Sequence, residues 1–262
     1  MKKDDFYEVN NIKQFLEPTV FCDFENPLIQ KKVREIKGQE TDTRKISVKL
    51  FEWVRDRIFY LVGNWQKKAS ETLKTKKGTC TNKANLLVAF FRTIGVPAGY
   101  GIMKVYTRYF GPLFIPMFKK FSGKISTHIY CVAWLNNKWV KCDPSDDKRL
   151  SENTFYLNPQ SKLVEWDGIN DATLNLNKED ILEDRYPIAN IDFWMFKKAK
   201  HAKGIPLKVA NLFIEFLREN TEKVSNVKEI EILFKKWLNK KYPFYFYSFS
   251  ILNFLKRQKK SN

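Results

Sequence analysis

Histidine is scarce in this chain: there are two in 262 residues, and arginine supplies only ten of the 47 basic side chains. The four cysteines, Cys22, Cys80, Cys131 and Cys142, show no C-x-x-C spacing. With so few histidines, that argues against a structural zinc site, and the chain is too long and too poor in cysteine to be a disulfide-stapled mini-protein. The low arginine share weakens a base-reading role, because bidentate contacts to guanine and phosphate favour the guanidinium fork. No internal repeat or low-complexity tract occurs. The longest apolar stretch, Tyr242 to Leu255, is interrupted by Pro243, Ser248, Ser250 and Asn253 and falls short of the ~20 residues a membrane span needs. The opening Met1-Lys2-Lys3-Asp4-Asp5 runs into acids without an apolar segment, so no secretory leader is visible and a cytoplasmic location is expected.

What is present is a globular composition, 44% hydrophobic and 29% charged, with a formal charge of +18 and 15% aromatics. That charge invites a nucleic-acid or anionic-membrane reading. Its distribution is uneven. Residues 232–262 hold eight Lys or Arg and no acid, whereas 165–184 hold seven acids and one Lys. The basic C-terminus is therefore where an acidic partner or an anionic membrane is expected, with peripheral association as the location this allows; no specific nucleic-acid motif accompanies it.

Apolar periodicity predicts helices over 26–39, led by Pro27, and over 46–61, with Leu50, Phe51, Val54, Ile58 and Leu61 on one stripe. A polar stretch, 67–77, ends at Gly78. After Thr79-Cys80, Ala84, Leu87, Val88, Phe91 and Ile94 mark a mostly buried helix stopped by Gly95-Val96-Pro97. Residues 98–106, 128–135 and 138–142 read as strands, the last two joined by the turn Asn136-Asn137. The stretch from Pro144 to about Pro187 reads as irregular, and helices are expected over 206–219 and 227–238. The aromatic run after them is either core of a helical subdomain or a surface anchor flanked by Lys240, Lys241, Lys256 and Arg257.

Cys80 opens the most apolar helix, where unpaired N–H groups and the helix dipole stabilise a thiolate and can donate to an oxyanion. A thiolate nucleophile needs a base. His201 lies in a lysine-rich, solvated stretch, which leaves His128. With Asn136-Asn137 as the turn, Cys131 lies opposite Cys142, Trp134 opposite Trp139, and Asp143 opposite Tyr130 on the face of His128. Such diagonal positions have Cβ atoms ~7–8 Å apart, a gap a His and an Asp can close. The Asp would set the imidazole tautomer and stabilise its charged form. Cys131 and Cys142, on the opposite face, are expected as buried free thiols.

The run GTCTNKANLLVAFFRTIGVPAGYG, Gly78 to Gly101, resembles the nucleophile helix of the transglutaminase-like superfamily at Gly78, Cys80, Ala84, Leu87, Arg92, Gly95, Val96, Pro97 and Ala98. Its second motif, a strand opened by His and followed by W-x-x-x-D-P, is matched at His128, Trp139, Asp143 and Pro144. The upstream FEWVRDRIFY and SETLKTKKGTC are also similar, and the likeness runs from about Pro27 to Asp147. It implies Cys80 as nucleophile, His128 as base and Asp143 as orienter. It differs in reading His128-Ile129-Tyr130 where members often read H-[AS]-W. No side-chain oxyanion donor is assigned beyond the candidates Trp65 and Gln66. The insertion around 106–124 is either a substrate lid, with Tyr109, Phe110, Phe114 and Phe118 as candidates, or a cap on the core.

The expectation is an α+β chain with a transglutaminase-like, papain-like core over 1–150, its helical half packed on a small antiparallel sheet. An irregular, then mainly helical extension over 151–262 should follow. The chemistry implied is cysteine-dependent acyl transfer or hydrolysis at an amide or thioester carbonyl of a peptide, protein or small substrate, with no metal or cofactor. An amidase, peptidase or amide-synthase role is expected over protein cross-linking, because no flanking β-sandwich domains lie in these 262 residues. The alternative is a catalytically inactive basic module that binds nucleic acid or an anionic membrane surface.

Overall fold

The apolar stripe that begins at Cys80 builds the central helix of the computed structural model, which describes residues 11–108, 118, 123–197 and 204–258. Before it come α1 (Pro27–Lys37), α2 (Thr43–Arg57), a two-residue strand β1 (Phe59–Tyr60), α3 (Ala69–Thr75) and a two-residue strand β2 (Lys77–Gly78). The helix itself, α4 (Cys80–Thr93), is buried on nearly all sides, so it carries apolar residues around most of its circumference. Strands β3 (Ala98–Tyr106), β4 (Ile125–Leu135) and β5 (Lys138–Cys142) follow, then α5 (Lys148–Thr154), β6 (Ile181–Ile188), α6 (Asp192–Lys197) and three helices, α7 (Ile205–Glu219), α8 (Val227–Lys241) and α9 (Pro243–Gln258).

The main sheet is antiparallel in the order β5-β4-β3-β6. Its hairpin turns through Asn136 and Asn137 with φ of 50° and 60°, the paired left-handed residues of a tight turn that matches strand twist. The register is the one expected, with Cys131 opposite Cys142 and Trp134 opposite Trp139. Both cysteines are free and buried. On β3, Gly101 faces Tyr130, and a Cβ at Gly101 would fall 2.0 Å from that ring. One sheet face, through Tyr100, Ile102, Ile129, Cys131 and Val140, joins α1–α4 in the principal core. Arg92 near the end of α4 is buried and donates to the carbonyls of Ala98 (3.0 and 2.8 Å) and Ala189 (2.6 Å), a packing role that ties the helix to the strand ends.

Three features depart from the expected elements. The second helix ends at Arg57, because Phe59 and Tyr60 leave it to pair in parallel with Lys77 and Gly78. The polar stretch before Gly78 contains the helix α3, opened by a Glu71 carboxylate that accepts from the Lys68 backbone N–H. The segment expected to be irregular contains the helix α5 and the strand β6, whose apolar alternation is broken by Glu183, Asp184 and Arg185. It is an edge strand, where charges are tolerated, and Glu183 pairs with Lys104 of β3 across the ladder.

The principal core also continues past residue 150, drawing in Val164, Trp166, Leu174, Ile188, Ile191 and Met195. A second core is formed by α7, α8 and α9 around Phe213, Phe216 and Phe234, joined by Leu150. β6 and α6 thus pack with the sheet, and α7–α9 with the second core.

Candidate active site

Gly78 leads into α4 through a gap too narrow for a side chain, since a Cβ there would lie 2.8 Å from Asn82 Cβ and 3.2 Å from Thr72 Cγ2. Thr79 then caps the helix: its hydroxyl accepts from Asn82 N, while Asn82 Oδ1 accepts from the Thr79 N–H at 3.0 Å. Cys80 is the first residue inside the cap, where backbone N–H groups have no carbonyl one turn earlier. The residue is half-buried, and its sulfur lies 3.9 Å from Thr81 Oγ1.

The hairpin brings the other two groups to it. His128 Nε2 is 2.6 Å from Asp143 Oδ2, with Asp143 fully buried and His128 nearly so. The opposite carboxylate oxygen, Oδ1, accepts from the backbone N–H of Ser145 (3.1 Å) and from its hydroxyl. With Nε2 on the carboxylate, Nδ1 is the nitrogen left for the Cys80 sulfur, which also meets the Ile129 backbone N–H.

The electrostatics follow from these contacts. Burial by itself raises the Cys80 thiol, but the hydrogen bond and charge of His128 outweigh it and leave the thiol below its ordinary value. Burial by itself lowers His128, but Asp143 and then Cys80 overcome it and hold the imidazole well above its ordinary value. Asp143 stays below the usual carboxylate range because His128 and Ser145 outweigh its burial. All three shifts favour a thiolate–imidazolium pair backed by a carboxylate. Two other thiols move the other way: burial pushes Cys22 up to about 11 and Cys142 well above its ordinary value. Of these three thiols only that of Cys80 lies below its ordinary value.

A second group of charges, not found by the sequence reading, lies behind the triad. Lys83, one turn after Cys80, is fully buried and donates to the Arg55 carbonyl at 2.9 Å. Burial lowers it to about 8, with Asp147 and Asp146 opposing. Asp146 is pushed up to about 6 by burial against the pull of Lys83. Asp147 accepts from Arg218 of α7 (2.8 to 3.1 Å) and from the Tyr60 N–H (3.1 Å), and Arg218 also donates to the Tyr60 carbonyl (2.7 Å). The available signal was a lysine on an otherwise apolar helix, together with the acid run Asp143-Pro144-Ser145-Asp146-Asp147.

Of the oxyanion candidates, Trp65 is buried and anchors the helix start, its carbonyl accepting from Asn82 Nδ2 at 2.8 Å. The Gln66 amide donates to the Phe196 carbonyl at 3.2 Å. Of the lid candidates, Tyr109, Phe110 and Phe114 lie outside the described residues. Phe118 is buried against Phe213 and Phe249 in the second core, so its place is in the packing of the helical region. Among the described residues no cluster of His, Cys, Asp and Glu is arranged to hold a metal ion.

Residues 30–144, which hold α4 and the hairpin of His128 and Asp143, match the family model of the transglutaminase-like superfamily. No curated protein matches the chain. Among solved structures, a Cytophaga hutchinsonii chain described as a "Putative Cysteine Protease" is similar at 20% identity and a TM-score of 0.42, over 52% of this chain and 42% of that one. This chain therefore aligns with less than half the length of that protein. The small antiparallel sheet and helical remainder of this chain agree with that match, and residues 30–144 are similar to the transglutaminase-like superfamily.

Proposed function

We propose that the protein is a cysteine-dependent acyltransferase or hydrolase that works through an acyl-enzyme on Cys80. The observation that carries this reading is the buried His128–Asp143 pair, at 2.6 Å, set on a thiol that opens a helix. In the first half-reaction the Cys80 thiolate attacks an amide or thioester carbonyl. The electron pair passes to the carbonyl oxygen, where the Cys80 N–H at the helix start is placed to stabilise it. Collapse expels the amine or thiol, which takes its proton from the His128 imidazolium. In the second, water or an amine attacks the thioester and gives its proton to His128, and the Cys80 thiolate leaves. Asp143 keeps Nε2 protonated throughout and stabilises the cation.

The reading is tested by iodoacetamide labelling across pH with peptide mapping, and by intact mass after incubation with amide and thioester libraries. Cys80 should be alkylated selectively below pH 7, His128→Ala should abolish that selectivity, and a trapped adduct on Cys80 should report the acyl group. Slow, uniform labelling of all four cysteines would refute it and favour an inactive binding module.

A further inference from the structure

The last helix, α9, has two unlike faces. Phe249 is buried with Phe118 and Phe213, and Tyr245 and Phe246 pack on the same core. On the other side Phe244, Tyr247 and Ile251 are 68%, 60% and 60% exposed, one above another at i, i+3 and i+7. Three large apolar side chains in one exposed row lack a reason within the fold. Their electrostatic setting is one-sided. Residues 232–262 contain eight Lys or Arg and no acid, in a chain of net charge +18. The carboxylates of α7 nearest this corner, Glu215 and Glu219, are already engaged by Lys241 at 3.5 and 3.3 Å, which leaves Lys236 and Lys240 exposed on α8 without that compensation.

We propose that α9 is a peripheral membrane-docking surface, with Phe244, Tyr247 and Ile251 seated at the headgroup–acyl boundary of an anionic bilayer and the exposed Lys236 and Lys240 of α8 against its phosphates. Among candidate occupants, this chemistry fits an anionic lipid surface best. An aromatic and aliphatic row beside basic residues is the amphipathic arrangement that lies in a lipid interface, and it combines apolar burial with attraction to acidic headgroups. A second copy of the chain would bring the same acid-free segment against itself. A nucleic acid has no use for an exposed isoleucine, and only one of the eight basic residues is the arginine that phosphate clamps prefer. The helix does not cross the bilayer: no helix among the described residues is long and apolar enough.

The test is vesicle flotation of the full chain with pure phosphatidylcholine and with about 30% phosphatidylserine, at low salt and at about 0.5 M. The combined variant Phe244→Ser, Tyr247→Ser, Ile251→Ser alters only exposed positions, and circular dichroism with Cys80 alkylation verifies its fold. A second variant, Lys236→Gln, Lys240→Gln, removes charge alone at exposed positions of α8. The wild type should float with anionic vesicles only, release at high salt, and lose at least about tenfold in binding in each variant. Equal binding to neutral vesicles would overturn the proposal, as would unchanged binding by the Ser variant. A wild type that ignores vesicles but is retained on heparin, or that is a dimer dissociated by the Ser variant, would assign the surface to a polyanion or a second copy and refute lipid docking.

Discussion

Replacing Asp143 by Asn should disable Cys80 through a hydrogen-bond constraint that the structure makes specific. Both donors on Oδ1, the Ser145 N–H and hydroxyl, require an acceptor there. In Asp143→Asn the amide oxygen must take that place, so Nδ2 takes the place of Oδ2, 2.6 Å from His128 Nε2. An NH₂ group there can only donate, so Nε2 must be unprotonated and the imidazole proton must sit on Nδ1, facing the sulfur. That tautomer cannot accept the thiol proton, and the imidazolium would set two donors against each other. The thiolate–imidazolium pair also loses a buried counter-charge, a loss of about 3 kcal/mol or more, equivalent to roughly a hundredfold in its population. The assay is the second-order rate of iodoacetamide alkylation at Cys80 from pH 5 to 9. Wild type should keep a reactive plateau below pH 7. Asp143→Asn should lose about a hundredfold at pH 6 and recover only as pH approaches the thiol's ordinary value. Turnover of a cognate substrate should fall further, on the order of 10⁴-fold, because the wrong tautomer also blocks proton transfer. A variant that folds normally and alkylates within twofold of wild type at pH 6 would refute this account.

Gly101→Ala should drive its methyl into the Tyr130 ring, which is held by a 2.6 Å bond from its hydroxyl to Asp184. About 3 kcal/mol of overpacking strain would lower the thermal midpoint by roughly 6–12 °C, and a drop under 2 °C would mean that the ring moves freely. For Asp146, the folded value of about 6 lies above the ordinary 3.8, so the native state holds its proton more tightly and stability falls as pH rises through that window. Asp146→Asn should accordingly raise the midpoint more at pH 7.5 than at pH 4.5, and a larger gain at pH 4.5 would reverse the assignment. Phe213→Ala, which removes a ring 4.9 Å from Phe234 and 5.7 Å from Phe118, should cost about 3–5 kcal/mol in urea denaturation; a loss below 1 kcal/mol would show the second core to be loosely packed.

The candidate site was legible because each of its parts is set by a short stretch of chain. Cys80 is marked by Gly78, by the capping residue Thr79 and by the apolar period that starts after it. His128 and Asp143 lie 15 residues apart on strands joined by a two-residue turn, so the turn alone determines which side chains share a face. The rest depends on partners far along the chain. Strand β6 is an edge strand that exists only because β3, some 80 residues earlier, offers it a ladder, and its charged residues hide the alternation. The pair of two-residue strands around Tyr60 and Gly78 is too short to leave any periodic trace.

The charged network shows the same division and changes how the C-terminal helices relate to the site. Lys83 could be noticed as a lysine among apolar neighbours, but its acceptor belongs to Arg55 of α2, 28 positions away. Asp147 could be noticed as part of an acid run, but its partner is Arg218, 71 positions away. Through that one guanidinium, α7 holds both the loop after Asp143 and the backbone of Tyr60, whose phenol is raised first by burial and next by the Cys80 charge. Burying Arg218 and Asp147 together is tolerable only because each satisfies the other with several hydrogen bonds, so the geometry of this clamp is tightly constrained. The helical region is thus fastened to the hairpin of His128 and Asp143 four residues from the Asp143 carboxylate, so a displacement of α7 would act first on the loop that follows Asp143.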